Sequence, residues 1–117
     1  GKTKNRVDAV RSRESQNQDL LANLKDQVKL EVKDAYLLLK EAEKRIRVTQ
    51  KTIEQARENH RINEERYREQ VATSTDVLDA LTLLTGARSD YATALGNYSI
   101  DRARLERAMG VIEAKNR

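Results

Sequence analysis

The chain has 117 residues, no Cys, Pro, Phe or Trp, 4 Gly, and 36% charged residues with a formal net charge of +4. This composition excludes disulfides and thiolate metal sites, offers no run near the ~20 apolar residues of a membrane helix, and suits long helices with one or two apolar seams. Basic residues gather at Lys2, Lys4, Arg6, Arg11 and Arg13 and again at Arg102, Arg104, Arg107, Lys115 and Arg117. Acids are interspersed, in pairs such as Glu41–Arg45, Glu43–Arg47, Glu64–Arg68 and Arg102–Glu106. That spacing decorates a solvated helix face, so no nucleic acid partner is expected.

The first helix is predicted over about residues 4–68, a stretch with no Pro, Gly or turn cluster. At 1.5 Å per residue its length would be roughly 100 Å. It carries a strict 3-4 ladder: Val32, Ala35, Leu39, Ala42, Ile46, Thr49, Ile53, Ala56, His60, Asn63, Tyr67. Arg66 and Arg68 suit the negative end of its dipole. Residues 69–75 form a tip, in which Thr73-x-x-Asp76 reads as a capping box with Asp in place of Glu. The second helix is predicted from about residue 75 to about residue 109, with Gly110 as its C-terminal stop. Its ladder runs Val77, Ala80, Leu84, Ala87, Tyr91, Ala94, Tyr98, Asp101, Leu105, Ala108, Ile112.

The two ladders mirror each other about Ala72, and in both a larger residue alternates with a small one. Folding the chain back there brings the large rungs level: Tyr67 with Val77, His60 with Leu84, Ile53 with Tyr91, Ile46 with Tyr98, Leu39 with Leu105, Val32 with Ile112. The small rungs meet likewise, as Ala56 with Ala87 and Ala35 with Ala108. The expected fold is all-α: a long antiparallel helical hairpin of the coiled-coil kind with closely approaching helices. Most of residues 1–26 then lacks a partner within the chain, yet Val7, Val10, Leu21, Leu24 and Val28 still form a stripe. Its rhythm slips at Leu24–Val28–Val32, where the first helix is expected to change partner. A second seam (Leu78, Leu81, Thr85, Arg88, Ala92, Leu95) and the off-ladder Leu37, Leu38, Val48 and Ile62 call for two neighbours per helix, as in a closed helical barrel.

No catalytic constellation, cofactor site or metal site is legible. His60 occupies a large rung and has no second ligand at metal-site spacing, so it reads as a seam histidine. Ser74 lacks a nucleophile motif, and Gly86 and Gly96 form no phosphate loop. Tyr91 and Tyr98 are rungs, explained by packing. The suggestive polar pair is Asp76 and Asp79, which at i and i+3 share a face in the first turn of the second helix. Taken alone they stabilise that start; repeated around an axis they would make a carboxylate ring that attracts cations.

The stretch Arg66-Tyr67-Arg68-Glu69-Gln70-Val71-Ala72-Thr73-Ser74-Thr75-Asp76-Val77-Leu78-Asp79-Ala80 resembles the periplasmic tip of TolC-like outer membrane efflux proteins. Glu31-Val32-x-x-Ala35-Tyr36 and Leu105-Glu106-Arg107-Ala108-Met109-Gly110 resemble that family too. The resemblance implies no enzyme, but the helical part of the second repeat of a homotrimeric export channel, lying in the periplasm below an outer membrane β-barrel that is not within this chain. It implies a periplasmic adaptor protein and an inner-membrane pump as partners, a gate at Asp76 and Asp79, and an adaptor-binding tip at Val71, Ala72, Thr73 and Ser74. Without the barrel strands and the first repeat the chain is expected to be a fragment of the channel. Family tips commonly carry Gly where this chain has Gln70. The alternative is a generic structural or adaptor-type hairpin for protein–protein interaction.

Overall fold

A computed structural model describes residues 1–116, with side chains described for residues 1–110 and Glu113. It contains two helices, α1 at Lys2–Arg68 and α2 at Ser74–Asn116. They pack antiparallel into a rod with principal extents of 102 × 23 × 13 Å. The long dimension is that of α1 alone. The 13 Å dimension is close to the diameter of one helix with its side chains, so the molecule is a single layer.

The expected ladders are the packed surface. From Val32 to Asn63 every rung of α1 is buried or half-buried, and from Val77 to Ala108 every rung of α2 is as well. The buried core consists of Val28, Ala35, Ala42, Ala80, Leu84, Ala87 and Ala94, four to six heavy atoms of side chain being nowhere needed except at Leu84. Larger rungs such as Leu39, Ile46, Ile53, Tyr91 and Tyr98 are half-buried beside them. The helices therefore approach most closely over alanine, and the bulkier side chains wrap the line of contact. Two surface grooves between the helices agree with the expected register: Ala35 and Ala108 both line one, Thr49 and Ala94 the other. Both pairs keep the expected small-rung register, one residue off exact reflection about Ala72. The outermost expected pair, Val32 with Ile112, involves a side chain outside the described residues.

Three expectations are corrected. Gly110 does not stop α2, which continues to Asn116; its φ is not positive, and an ordinary helical Gly costs only about 1 kcal/mol relative to Ala. Tyr67 is 51% exposed rather than a packed rung, because the chain turns away within the next few residues. Of the predicted ion pairs, Glu64–Arg68 (4.0 Å) and Arg102–Glu106 (3.3 Å) form, while Glu43 pairs with Lys40 (3.4 Å) instead of Arg47.

Residues 1–27 are helical from Lys2 onward and exposed throughout. The second seam is uncovered too, with Leu78 61%, Leu81 42% and Leu95 41% exposed, as are Leu37, Leu38, Val48 and Ile62 of α1. Among the described residues, no helix is long and apolar enough to cross a membrane.

Candidate functional site

The tip is where the sequence concentrates special backbone chemistry. Helix α1 ends on Glu69 at φ −82°, ψ 1°, and Gln70 follows at φ 64°, in the left-handed region. The Gln70 N–H donates to Tyr67 O (3.0 Å) and the Val71 N–H reaches back to Arg66 O (2.9 Å). This pair of bonds, with a left-handed residue between helix and exit, is a Schellman motif. The Ala72 N–H also donates to Arg66 O (3.3 Å), so one carbonyl gathers two turn amides. Gln70 thus occupies the position that suits Gly best, and as a residue with a Cβ it carries a cost of about 1–2 kcal/mol there.

Helix α2 begins with the expected capping box. The Thr73 N–H donates to Asp76 Oδ2 (2.9 Å), and the Asp76 N–H donates to Thr73 Oγ1 (3.1 Å). The bond from the Thr73 backbone holds the Asp76 carboxyl below its usual range; the hydroxyl of Thr73 and the positive charge of Arg66 act in the same direction. Asp79, one turn on, is exposed and has no hydrogen-bond or ion-pair partner among the described residues. The two carboxylates therefore differ: Asp76 is committed to the cap, and Asp79 is free. Of the expected adaptor-binding residues, Val71 (62%), Thr73 and Ser74 are exposed, and Ala72 is half-buried under the turn.

Beneath the tip, α1 carries an ionic clasp that is not among the expected pairs. Arg61 reaches Glu58 through two bonds, Nη2 to Oε1 at 2.6 Å and Nε to Oε2 at 3.0 Å, and Glu65 through Nη1 at 3.2 Å. The hydrogen bonds with Arg61 lower the Glu58 pKa and raise that of Arg61. Such solvated pairs add little stability but fix the orientation of the side chains. The spacing Glu58-x-x-Arg61-x-x-x-Glu65 was the available signal. His60 is a seam residue as read, its side chain 19% exposed, with Nε2 3.3 Å from Glu64 Oε1.

Among the described residues there is no group of acidic, His or Cys side chains able to hold a metal ion. The grooves along the rod are shallow and open rather than enclosed. What the geometry provides is a two-helix rod with a capped tip and uncovered apolar flanks. The sequence model of the outer membrane efflux protein family matches residues 1–111, nearly the whole chain, and the chain belongs to that family. It is a family of outer membrane efflux channels, TolC-like, trimeric and working with adaptor proteins, and a transport family rather than an enzymatic one. No curated protein and no solved structure matches the chain.

Proposed function

We propose that this hairpin is the periplasmic part of an outer membrane export channel in a tripartite efflux or type I secretion system, with its tip as entrance gate and adaptor contact. The observation that carries the reading is the uncovered second seam on a hairpin whose first seam is already packed from Val32 to Asn63 and from Val77 to Ala108. A self-sufficient hairpin has no use for Leu78, Leu81 and Leu95 in an exposed row, whereas a stave between two neighbours does. In that arrangement each copy of the trimer contributes Asp76 and Asp79 to the lumen side of the tip. Gathered carboxylates concentrate cations and narrow the passage. Val71, Ala72, Thr73 and Ser74 then face the periplasmic adaptor, and the inner-membrane pump lies beyond it.

The two aspartates are not equivalent under this proposal. Asp79 has a free carboxylate, so Asp79→Asn in the full-length trimeric parent should by itself reduce cation selectivity and weaken block by multivalent cations. Asp76→Asn should add to this less than its equal share, since its charge is already drawn toward the cap and Arg66. Single-channel recordings on the reconstituted parent provide the test. Unchanged selectivity and block in the double variant would return both aspartates to helix-start stabilisation. That result would favour the competing reading, a protein-binding hairpin, which the self-contained Thr73–Asp76 cap already accommodates.

A further inference from the structure

His60 is a half-buried rung of α1, level with Leu84, which is 4% exposed. The large rungs before it, Leu39, Ile46 and Ile53, are aliphatic; here the seam carries an imidazole instead. Its Nε2 lies 3.3 Å from Glu64 Oε1, and the other oxygen of the same carboxylate, Oε2, lies 4.0 Å from Arg68 Nη2. The three side chains follow at four-residue steps along one face and lead from the seam to water, at 19%, 44% and 77% exposure. Arg68 is the last residue of α1, next to the turn whose amides gather on Tyr67 O and Arg66 O.

Among the described residues, no other anion is paired with the imidazole. On α1 the flanking cations are Arg57, one turn back, and Arg61, which Glu58 and Glu65 hold. Across the seam, residues 80–87 of α2 contain no ionisable side chain. The α2 charges that bracket that stretch, Asp79 and Arg88, are both exposed, and the ion pairs of the described residues all run within one helix. A positive charge gained by His60 therefore has Glu64 as its counter-ion, and a half-buried charge needs one. The neutral ring has a single N–H donor and leaves Glu64 to Arg68. At 4.0 Å and 77% exposure, Arg68 is the looser of the two partners and is solvated when released.

We infer that His60, Glu64 and Arg68 form a proton-operated toggle: protonation of His60 draws the Glu64 carboxylate inward and frees the Arg68 guanidinium at the end of α1. Histidine is the side chain that ordinarily changes charge between about pH 5 and 8, a range in which ordinary carboxylates stay ionised. The proton is taken up in the seam, and the unneutralised charge stands beside the turn, two helical steps or roughly 12 Å away. The negative end of the helix dipole favours a free cation there. The toggle thus converts the acidity of the surroundings into positive charge at the tip. The inference does not depend on the transport reading.

The test is an NMR titration of the full 117-residue chain between about pH 8 and 5, following the His60 ring, the Glu64 carboxyl carbon and the Arg68 side-chain nitrogens together. In the unsubstituted chain the Glu64 and Arg68 signals should move with the same midpoint as the His60 ring. In Glu64→Gln, His60 should still titrate while Arg68 no longer follows it. His60→Gln should abolish the response of both Glu64 and Arg68 in this range, with far-UV circular dichroism confirming that the helices are intact. An Arg68 signal that stays still while His60 titrates in the unsubstituted chain would overturn the inference, as would a His60 ring that does not titrate. So would an Arg68 response that survives in Glu64→Gln, which would mark direct repulsion from His60, or one that survives in His60→Gln.

Discussion

Gln70 offers a direct experiment on the tip. Its φ of 64° places a Cβ where only Gly is free of strain, at a cost of about 1–2 kcal/mol. Gln70→Gly removes that cost but gives the unfolded chain more freedom, worth about 0.4–1 kcal/mol in the other direction. The net expectation is a gain of about 0.5–1 kcal/mol. Gln70→Ala retains the strain and should be close to neutral. Gln70→Val adds a branched Cβ to a left-handed residue and should lose stability. Chemical denaturation followed by far-UV circular dichroism measures all three, and hydrogen exchange localises the effect. The Val71 amide, bonded to Arg66 O at 2.9 Å, should become better protected in the Gly variant. A Gly variant no more stable than the Ala variant would refute the left-handed turn and with it the Schellman geometry.

The seam predicts a graded response to overpacking. Ala87→Leu, at a position 5% exposed, should destabilise by about 1–3 kcal/mol, and Ala56→Leu, at a half-buried rung, by less; denaturation midpoints check the order. Gly86 and Gly96 sit in helix interiors, and an added Cβ would meet nothing within 4 Å. Gly86→Ala and Gly96→Ala should therefore each raise the stability of the isolated chain by up to about 1 kcal/mol, read as a higher thermal midpoint. Thr73→Ala should cost about 1 kcal/mol through the lost cap. Because the folded pKa of Asp76 is lowered, its contribution is present above the unfolded carboxylate range and is lost as pH falls through the folded value. In Thr73→Ala, NMR titration should find Asp76 moved part of the way back toward the ordinary value, since only the hydroxyl bond is removed.

The hairpin was legible because burial here has a single period. Among the described residues, nearly every one withdrawn from solvent is a rung of one of the two ladders; Val28, Glu43, Glu64 and Ala72 are the additions. Reflection about Ala72 could be read from residue numbers because two straight helices in contact must match rung to rung. The capping box was legible for the same reason, being a fixed spacing of residue types. Gln70 was visible only as a departure from the family's Gly. Side-chain chemistry does not announce a left-handed Gln; the backbone bonds to Tyr67 and Arg66 do. The end of α2 is not legible at Gly110, because Gly serves both as a helix stop and as an ordinary interior residue. At Gly110 the helix simply tolerates it. The unequal standing of Asp76 and Asp79 was hidden as well, since only geometry reveals which carboxylate turns back to the cap.

The reflected ladder also dictates an order of assembly. Tyr67 and Val77 are near in sequence, whereas Ala35 and Ala108 are separated by most of the chain. Closing a loop costs more entropy the longer it is, so the contacts nearest the tip are the easiest to make from an unfolded chain. Each rung formed there brings the next pair within reach, and the hairpin closes progressively from Ala72 toward the open end. Substitutions at Gln70 and Thr73 should then act chiefly on the folding rate, and those at Ala35 or Ala42 chiefly on the unfolding rate. The turn would be the starting point from which the rod is zipped.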